Sequence, residues 1–111
     1  MARPFNVDVV SPEGTLWSGD AEFLVARTTE GEIGILAGHE PLMAALSAGP
    51  VLIDHDGDQR TTIAVHGGFM QVVENRVTLL TDRARITAGD RAEAAAEALK
   101  LTEGDPLDFE E

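Results

Sequence analysis

Residues 27–42 combine spaced glycines with acids and one histidine, in the run Arg27-Thr28-Thr29-Glu30-Gly31-Glu32-Ile33-Gly34-Ile35-Leu36-Ala37-Gly38-His39-Glu40-Pro41-Leu42. Carboxylates such as Glu30 and Glu32 can pair with basic groups of a partner. Gly31 and Gly38 allow the backbone to approach another surface closely. Together with His39, this pattern is typical of a recognition loop set between strands.

Motifs of enzyme chemistry are missing from the chain. The only lysine is Lys100, so there is no phosphate-binding Gly-x-x-x-x-Gly-Lys motif. There is no cysteine nucleophile and no Gly-x-Ser-x-Gly elbow. The segment that begins at His39 lacks the second histidine of a zinc-protease helix, and Pro41 would disrupt such a helix. We predict a non-catalytic protein that needs no cofactor and no metal.

Three aspartates imitate the start of a calcium loop. Asp54, Asp56 and Asp58 have the right spacing, but Gly57 stands at the fourth position instead of the sixth, and Val65 occupies the place of the bidentate glutamate. We therefore predict a solvated hairpin tip.

A second motif, His66-Gly67-Gly68-Phe69, follows an apolar run and could form an anion site. A glycine pair in this position more often serves a bulge or a tight strand bend. We predict the bend.

Charge and length limit the classes of partner. The chain has 111 residues, enough for one domain with a core, and a net charge of -12. Residues 1–88 carry twelve acids and six arginines, whereas residues 89–111 carry eight acids against Arg91 and Lys100. This field repels nucleic acid and anionic lipid headgroups, so no nucleic-acid partner is expected and membrane association should go through another protein.

The amino terminus and the apolar runs predict a cytoplasmic protein. No run approaches the roughly 18 apolar residues of a spanning helix, and the first residues lack the apolar core of a signal peptide. The absence of cysteine is compatible with this location.

Short apolar runs predict a β domain over residues 1–86. Phe5, Val7 and Val9 alternate with polar residues, which favours a strand with one buried face. Further runs are Thr15–Trp17, Glu22–Arg27, Glu32–Leu36, Val51–Ile53, Thr61–His66, Phe69–Val73 and Val77–Thr81. Turn signals separate the runs at Pro12-Glu13-Gly14, Ser18-Gly19-Asp20, Gly49-Pro50, Asp56-Gly57 and Glu74-Asn75. This spacing is typical of an antiparallel β-sandwich or barrel.

The pattern changes at Thr87, where strong helix formers predict a short α-helical segment over residues 87–101. Asp90 can cap a helix that runs to about Leu101. Its inward stripe of three alanines and one leucine would bury little area and dock weakly. Residues 102–111 hold five acids and no base, which predicts a disordered acidic tail.

The ordered set of short motifs resembles the epsilon subunit of bacterial F-type ATP synthase over about residues 5–100. The amino-acid sequence of residues 17–19 and 27–29 is most similar to that of the actinobacterial branch of the family. The motifs are Asp8-Val9-Val10-Ser11-Pro12-Glu13, Trp17-Ser18-Gly19, Glu30-Gly31-Glu32-Ile33-Gly34-Ile35, Gly38-His39-Glu40-Pro41-Leu42, Gly67-Gly68-Phe69 and Val77-Thr78-Leu79-Leu80, followed by an alanine-rich helix.

This resemblance implies a sandwich of about ten strands and a helical C-terminal region on the central stalk. The sandwich would bind the gamma subunit and rest on the c-ring, coupling proton flow to ATP synthesis in the head of alpha and beta subunits. The protein would be peripheral, on the cytoplasmic face of the plasma membrane. Glu30, Gly31, Glu32 and His39 match the c-ring-facing positions of the family. Trp17 and Phe69 have the character of core residues, and no gamma contact is assigned.

The C-terminal region departs from the family pattern. Full-length relatives end in two helices whose basic residues can block rotation, whereas this chain has room for one helix followed by acids, so we predict weak or no inhibition. Some relatives bind ATP through an Ile/Leu-Asp-x-x-Arg-Ala motif. Arg91 and Ala92 match its end, but Thr87 and Ala88 occupy its first two positions, so only half of the nucleotide-binding pattern is present.

Two other functions fit parts of the pattern. A free-standing β-sandwich that binds a ligand or serves as an adaptor would be a stable monomer with no affinity for gamma. A small metal-dependent barrel enzyme would use His39 or His66, but the His-x-His pair of such barrels is absent.

Overall fold

The computed structural model describes residues 4–87, and these residues form strands joined by short turns. The eight strands in chain order are β1 (Phe5–Ser11), β2 (Gly14–Ala21), β3 (Phe23–Thr28), β4 (Gly31–Ile35), β5 (Leu42–Leu46), β6 (Gly49–His55), β7 (Gln59–Val73) and β8 (Arg76–Thr87). The prediction of a mainly β domain is confirmed. The resemblance implied about ten strands, and the described residues contain eight.

The strands form one continuous hydrogen-bonded sheet in the order β2-β1-β8-β7-β5-β3-β4, and β6 pairs with both β3 and β7. The long strand β7 pairs with β6 through its first half and with β5 through its second half. Strand β3 does the same, contacting β6 through Phe23–Val25 and β5 at Thr28. Strands β5 and β6 therefore lie end to end between β3 and β7, and the sheet encloses its core.

One pairing departs from the predicted antiparallel arrangement. Strand β1 runs parallel to β8, with Val7 opposite Val77 and Val9 opposite Leu79. Because these strands are far apart in sequence, no local pattern reports their relative direction. All the other strand pairs are antiparallel.

The core follows the period-two pattern of the strands. In β1, Phe5, Val7 and Val9 are buried while the residues between them are partly exposed, as predicted. Across the sheet, Val9, Leu79 and Met70 share one inward row, and Val7, Val77 and Val72 share the next. The apolar side chains on this inner face form one cluster.

The predicted break at Gly67-Gly68 is a bulge within a strand, not a boundary between two strands. The pairing of β7 with β8 shifts register around Gly67 and then continues, so β7 remains one strand of 15 residues. Gly68 has a φ of 132°, a conformation that side-chain-bearing residues rarely adopt. The predicted bend at this glycine pair is confirmed.

Four other features differ from the sequence prediction. Strand β5 was not predicted, because Leu-Met-Ala-Ala-Leu neither alternates nor favours a strand. Ser18-Gly19-Asp20 lies inside β2, and Gly49-Pro50 begins β6, so neither is a turn. Thr87 is the last residue of β8 rather than the first of a helix. The rest of the predicted helix and the acidic tail lie outside the described residues.

Candidate functional site

The β3–β4 hairpin presents the acidic part of the predicted recognition loop. Thr29 and Glu30 form its turn, and Glu30, Gly31 and Glu32 are all exposed. Gly31 has a φ of 120°, which explains the need for glycine next to the turn. Glu32 lies opposite Arg27 on β3, so charges of opposite sign face each other across the hairpin.

Thr28 and β5 hold this hairpin tip in place. The buried Thr28 hydroxyl donates to the carbonyl oxygen of Gly31 at 2.7 Å and accepts from the Glu30 amide at 3.1 Å. The Thr29 amide donates to the carbonyl oxygen of Ala45 at 3.0 Å, which fastens the tip to β5. The acids are therefore carried by a fixed turn.

The second part of the predicted site is the connection between β4 and β5. The His39 amide donates to the Leu36 carbonyl oxygen at 3.2 Å, which closes a turn, and Gly38 at its third position has a φ of 84°. These features define a type II turn. The Nδ1 atom of His39 lies 2.7 Å from the Glu40 carbonyl oxygen. Because a carbonyl oxygen can only accept, Nδ1 must be the donor, and in the neutral form of the ring Nε2 keeps its lone pair for another group.

The structure separates His39 from the two glutamates. The hairpin tip bonds to Ala45 of β5, whereas His39 precedes Leu42 at the start of the same strand. Three residues of strand correspond to about 10 Å at ~3.4 Å per residue. The four residues predicted to form one contact thus lie at two points along one side of the domain, linked by β5.

A groove of about 490 Å³ lies between the hairpin tip and β5. Its lining includes the apolar residues Ile33 and Leu42 together with Glu30 and Glu32. Apolar residues beside acids suit a partner loop that carries a basic side chain on an aliphatic stem.

The outer face of the sheet carries a partly exposed apolar row that was not predicted from the sequence. Ala45, Phe69, Leu80 and Val10 are successive cross-strand partners on β5, β7, β8 and β1. Phe69 is 56% exposed and Leu80 55%, and the neighbouring Met43 on β5 is 66% exposed. We name these five residues the apolar strip.

Two observations favour the apolar strip as a contact surface. In the sequence, Phe69 had the character of a core residue. In the structure Phe69 is exposed, and its neighbour Met70 is the residue that is buried in the core. A contiguous apolar patch on a chain of net charge -12 is typical of a protein–protein interface. The sequence did indicate this outer apolar surface through the pairs Val9-Val10, Phe69-Met70 and Leu79-Leu80. Two successive apolar residues in a strand face opposite sides of the sheet, so one residue of each pair must lie on the outer face.

The three aspartates lie on the β6–β7 hairpin, as predicted. Asp54 accepts two hydrogen bonds from Arg60, at 2.6 and 3.1 Å, which raise the pKa of Arg60. Asp56 lies 2.8 Å from Nδ1 of His55, whose ring packs at 5.1 Å from Trp17. Trp17 also packs against the core. Within residues 4–87, no three His, Cys, Asp or Glu side chains are grouped so that they could hold a metal ion.

The remaining predicted site residues, Arg91 and Ala92, lie outside the described residues. Among residues 4–87, no helix has the length and apolar character needed to cross a membrane.

Comparison with known proteins identifies the domain. Residues 4–87 match the family model described as ATP synthase, Delta/Epsilon chain, beta-sandwich domain. The chain is 38% identical over 105 residues to the ATP synthase epsilon chain of Streptomyces griseus, covering 95% of this chain and 85% of that one. It is 44% identical over 104 residues to that of Rhodococcus jostii, covering 93% and 84%. The epsilon chain of Frankia casuarinae is 42% identical over 84 residues, which cover 76% of this chain and 99% of that relative.

Two solved assemblies share the fold. A chain of the Euglena gracilis mitochondrial ATP synthase, solved as OSCP/F1/c-ring, superposes with a TM-score of 0.73 at 23% identity, covering 94% of this chain and 69% of that one. A chain of the Tetrahymena thermophila mitochondrial ATP synthase central stalk and c-ring gives 0.62 at 16% identity, covering 91% and 92%. The chain belongs to the ATP synthase epsilon chain family, and residues 4–87 are its beta-sandwich domain.

Proposed function

We propose that this chain is a non-catalytic rotor subunit of the central stalk of a proton-translocating F-type ATP synthase. It links the gamma subunit to the c-ring and couples proton flow to ATP synthesis in the head of alpha and beta subunits. It is peripheral to the plasma membrane, on the cytoplasmic side, and is held there by the complex. Its C-terminal region inhibits ATP hydrolysis weakly or not at all.

The observation that carries this proposal is the apolar strip. Phe69, Leu80 and Met43 would be unfavourably hydrated in a free monomer, and covering them favours a permanent partner. We assign this surface to gamma, because the strip crosses four hydrogen-bonded strands and so offers a contact area that suits a large interface. An adaptor that binds its partners transiently has less need of such a surface.

The hairpin tip supports the assignment of a second partner. Glu30 and Glu32 stand on a turn fixed by Thr28, and carboxylates held this way can pair with basic groups in the polar loops of the c-ring. Because torque would be lost as strain in a soft element, a rigid domain with two separate contact surfaces fits a rotor subunit. His39 adds a further contact near the other end of β5.

The Frankia relative supports the assignment of this role to the sandwich. Its match of 84 residues accounts for 99% of its own length, so an epsilon chain can be about as long as the domain formed by residues 4–87 here. In this chain the acidic residues 102–111 would meet acidic loops of the catalytic subunits with like charge. Both arguments favour a minor role for the C-terminal region.

The test is a pull-down from detergent-solubilised membranes of the source cell, using the full chain with a tag and mass spectrometry of the eluate. We expect gamma together with alpha, beta and c subunits. A clean monomer would refute the rotor assignment and favour the free-standing adaptor. The matched control is the same chain with Leu80→Lys and Phe69→Lys, which should recover much less of the other subunits because only the hairpin-tip contact remains.

A further inference from the structure

Asn75 joins three separate segments of the chain at one end of the domain. Its backbone carbonyl oxygen accepts from the Asn6 amide at 3.0 Å. Its side-chain Oδ1 accepts from the Gly38 amide at 2.8 Å, and its Nδ2 donates to the Pro4 carbonyl oxygen at 3.3 Å. The β7–β8 turn is thereby linked both to the amino terminus and to the loop that carries His39.

The bond to Gly38 bears directly on the shape of that loop. In a type II turn the central peptide is flipped by about half a turn relative to type I. The amide that Asn75 receives belongs to this central peptide, between Ala37 and Gly38. An acceptor at this place stabilises the type II form and disfavours the flip that would carry the amide away. Residue 39 follows immediately, so the flip would also redirect the histidine.

The chemistry of the amide side chain fits this double role. Asparagine offers an acceptor and a donor on one rigid group, whereas aspartate offers acceptors only. Aspartate could keep the bond to Gly38 but would face the Pro4 carbonyl oxygen with a carboxylate. Glycine would lose both bonds, yet it favours the left-handed φ of 65° that Asn75 adopts. The two substitutions therefore separate the side-chain bonds from the turn itself.

We propose that Asn75 is a positioning residue that holds the Gly38–His39 turn in the form that presents His39 to its partner. The partner part of this inference rests on the proposed function, in which His39 contacts the c-ring. The conformational part concerns this chain alone. Both side-chain bonds of Asn75 lie at the surface, so their loss should weigh more on the loop than on global stability.

The first measurement follows amide hydrogen exchange and chemical shift of Gly38 by NMR in the full chain. In Asn75→Gly we expect at least about tenfold faster exchange of the Gly38 amide, with the amides of β7 and β8 unchanged. Asn75→Asp should leave Gly38 protected. Unchanged Gly38 exchange in Asn75→Gly would overturn the proposal, and so would a loss of protection throughout the domain, because the residue would then be structural.

The second measurement is the affinity of each variant for detergent-purified c-ring. We expect a loss of about fivefold for Asn75→Gly, the size of one exposed hydrogen bond, and less than twofold for Asn75→Asp. If the wild type binds the c-ring and both Asn75 variants bind it with the same affinity, the positioning role is overturned and the rotor assignment stays intact. If the wild type fails to bind, the c-ring assignment fails and the partner part of the proposal fails with it. The Gly38 exchange would still decide the conformational part.

Discussion

Gly68 lies so close to the backbone of Leu80 that any Cβ atom on Gly68 would overlap the Leu80 carbonyl oxygen. This contact occurs at the β7 bulge, where Gly68 also has a φ of 132°. The bulge directs Met70 into the core and leaves Phe69 on the outer face, opposite Leu80. The outward position of Phe69 in the apolar strip thus depends on the glycine that precedes it.

Replacing Gly68 should damage the domain far more than replacing its neighbour. We expect Gly68→Ala to lower the free energy of unfolding by about 3 kcal/mol, because overlap with backbone adds to left-handed strain. At Gly67 the tightest contact of a Cβ would be Asp82 Oδ2 at 3.3 Å, the end of a flexible side chain, and the Leu46 carbonyl oxygen at 3.6 Å would be in ordinary van der Waals contact. Gly67→Ala should therefore cost less than about 1 kcal/mol in urea denaturation. Equal losses of unfolding free energy in the two variants would show that the bulge does not specifically require glycine at position 68.

The β7–β8 turn should be open to stabilisation at Glu74. Glu74 and Asn75 have φ values of 49° and 65°, as in a type I′ turn, and glutamate is poorly suited to this conformation. Glu74→Asn should raise the free energy of unfolding by about 0.5–1 kcal/mol. Glu74→Gln is the control, since it removes the charge and keeps the strain. A similar gain for both variants would attribute the effect to charge.

Part of this fold could be predicted from the residues and part could not. The alternation in β1 and the Asp56-Gly57 and Glu74-Asn75 turns are local signals, and the structure has them where they were expected. Strand β5 was missed because Leu42–Leu46 is made of residues that favour helices as well as cores. Its place is set by pairing with β7, which is a long-range contact.

The candidate site divides in the same way. The exposed turn at Glu30-Gly31 follows from the residue types. The separation of His39 from that turn depends on how the hairpin tip bonds to β5. The hydrogen bond from Gly38 to Asn75 joins residues that are 37 positions apart in the sequence. Phe69 was misjudged because its exposure is decided by the bulge at Gly67 and Gly68, which shifts the facing of the strand.

The acids of the hairpin tip should act electrostatically. We expect the double variant Glu30→Gln and Glu32→Gln to bind detergent-purified c-ring about fivefold to tenfold more weakly at low salt. The difference should shrink at high salt, because screening weakens exposed charge pairs. The control is Asp58→Asn with Glu74→Gln, which removes the same charge at other turns. A loss of the same size in the control would indicate a general effect of net charge.

The acidic tail should have little effect on hydrolysis. Exchanging residues 102–111 for a neutral linker of the same length removes five acids and should leave the ATP hydrolysis rate of the reconstituted complex within about twofold. The assay is steady-state hydrolysis by complexes carrying either chain. A large rise in rate after the exchange would mean that the tail inhibits.

The most direct test of the rotor assignment is the affinity of purified gamma subunit for the full chain and for three lysine variants. Leu80→Lys and Phe69→Lys alter the apolar strip, whereas Leu36→Lys alters a side chain of the same 55% exposure as Leu80 but outside the strip. We expect each strip variant to bind at least about thirtyfold more weakly and Leu36→Lys to bind within about threefold of the wild type. Full affinity of both strip variants, or no binding of gamma by the wild type, would contradict the assignment.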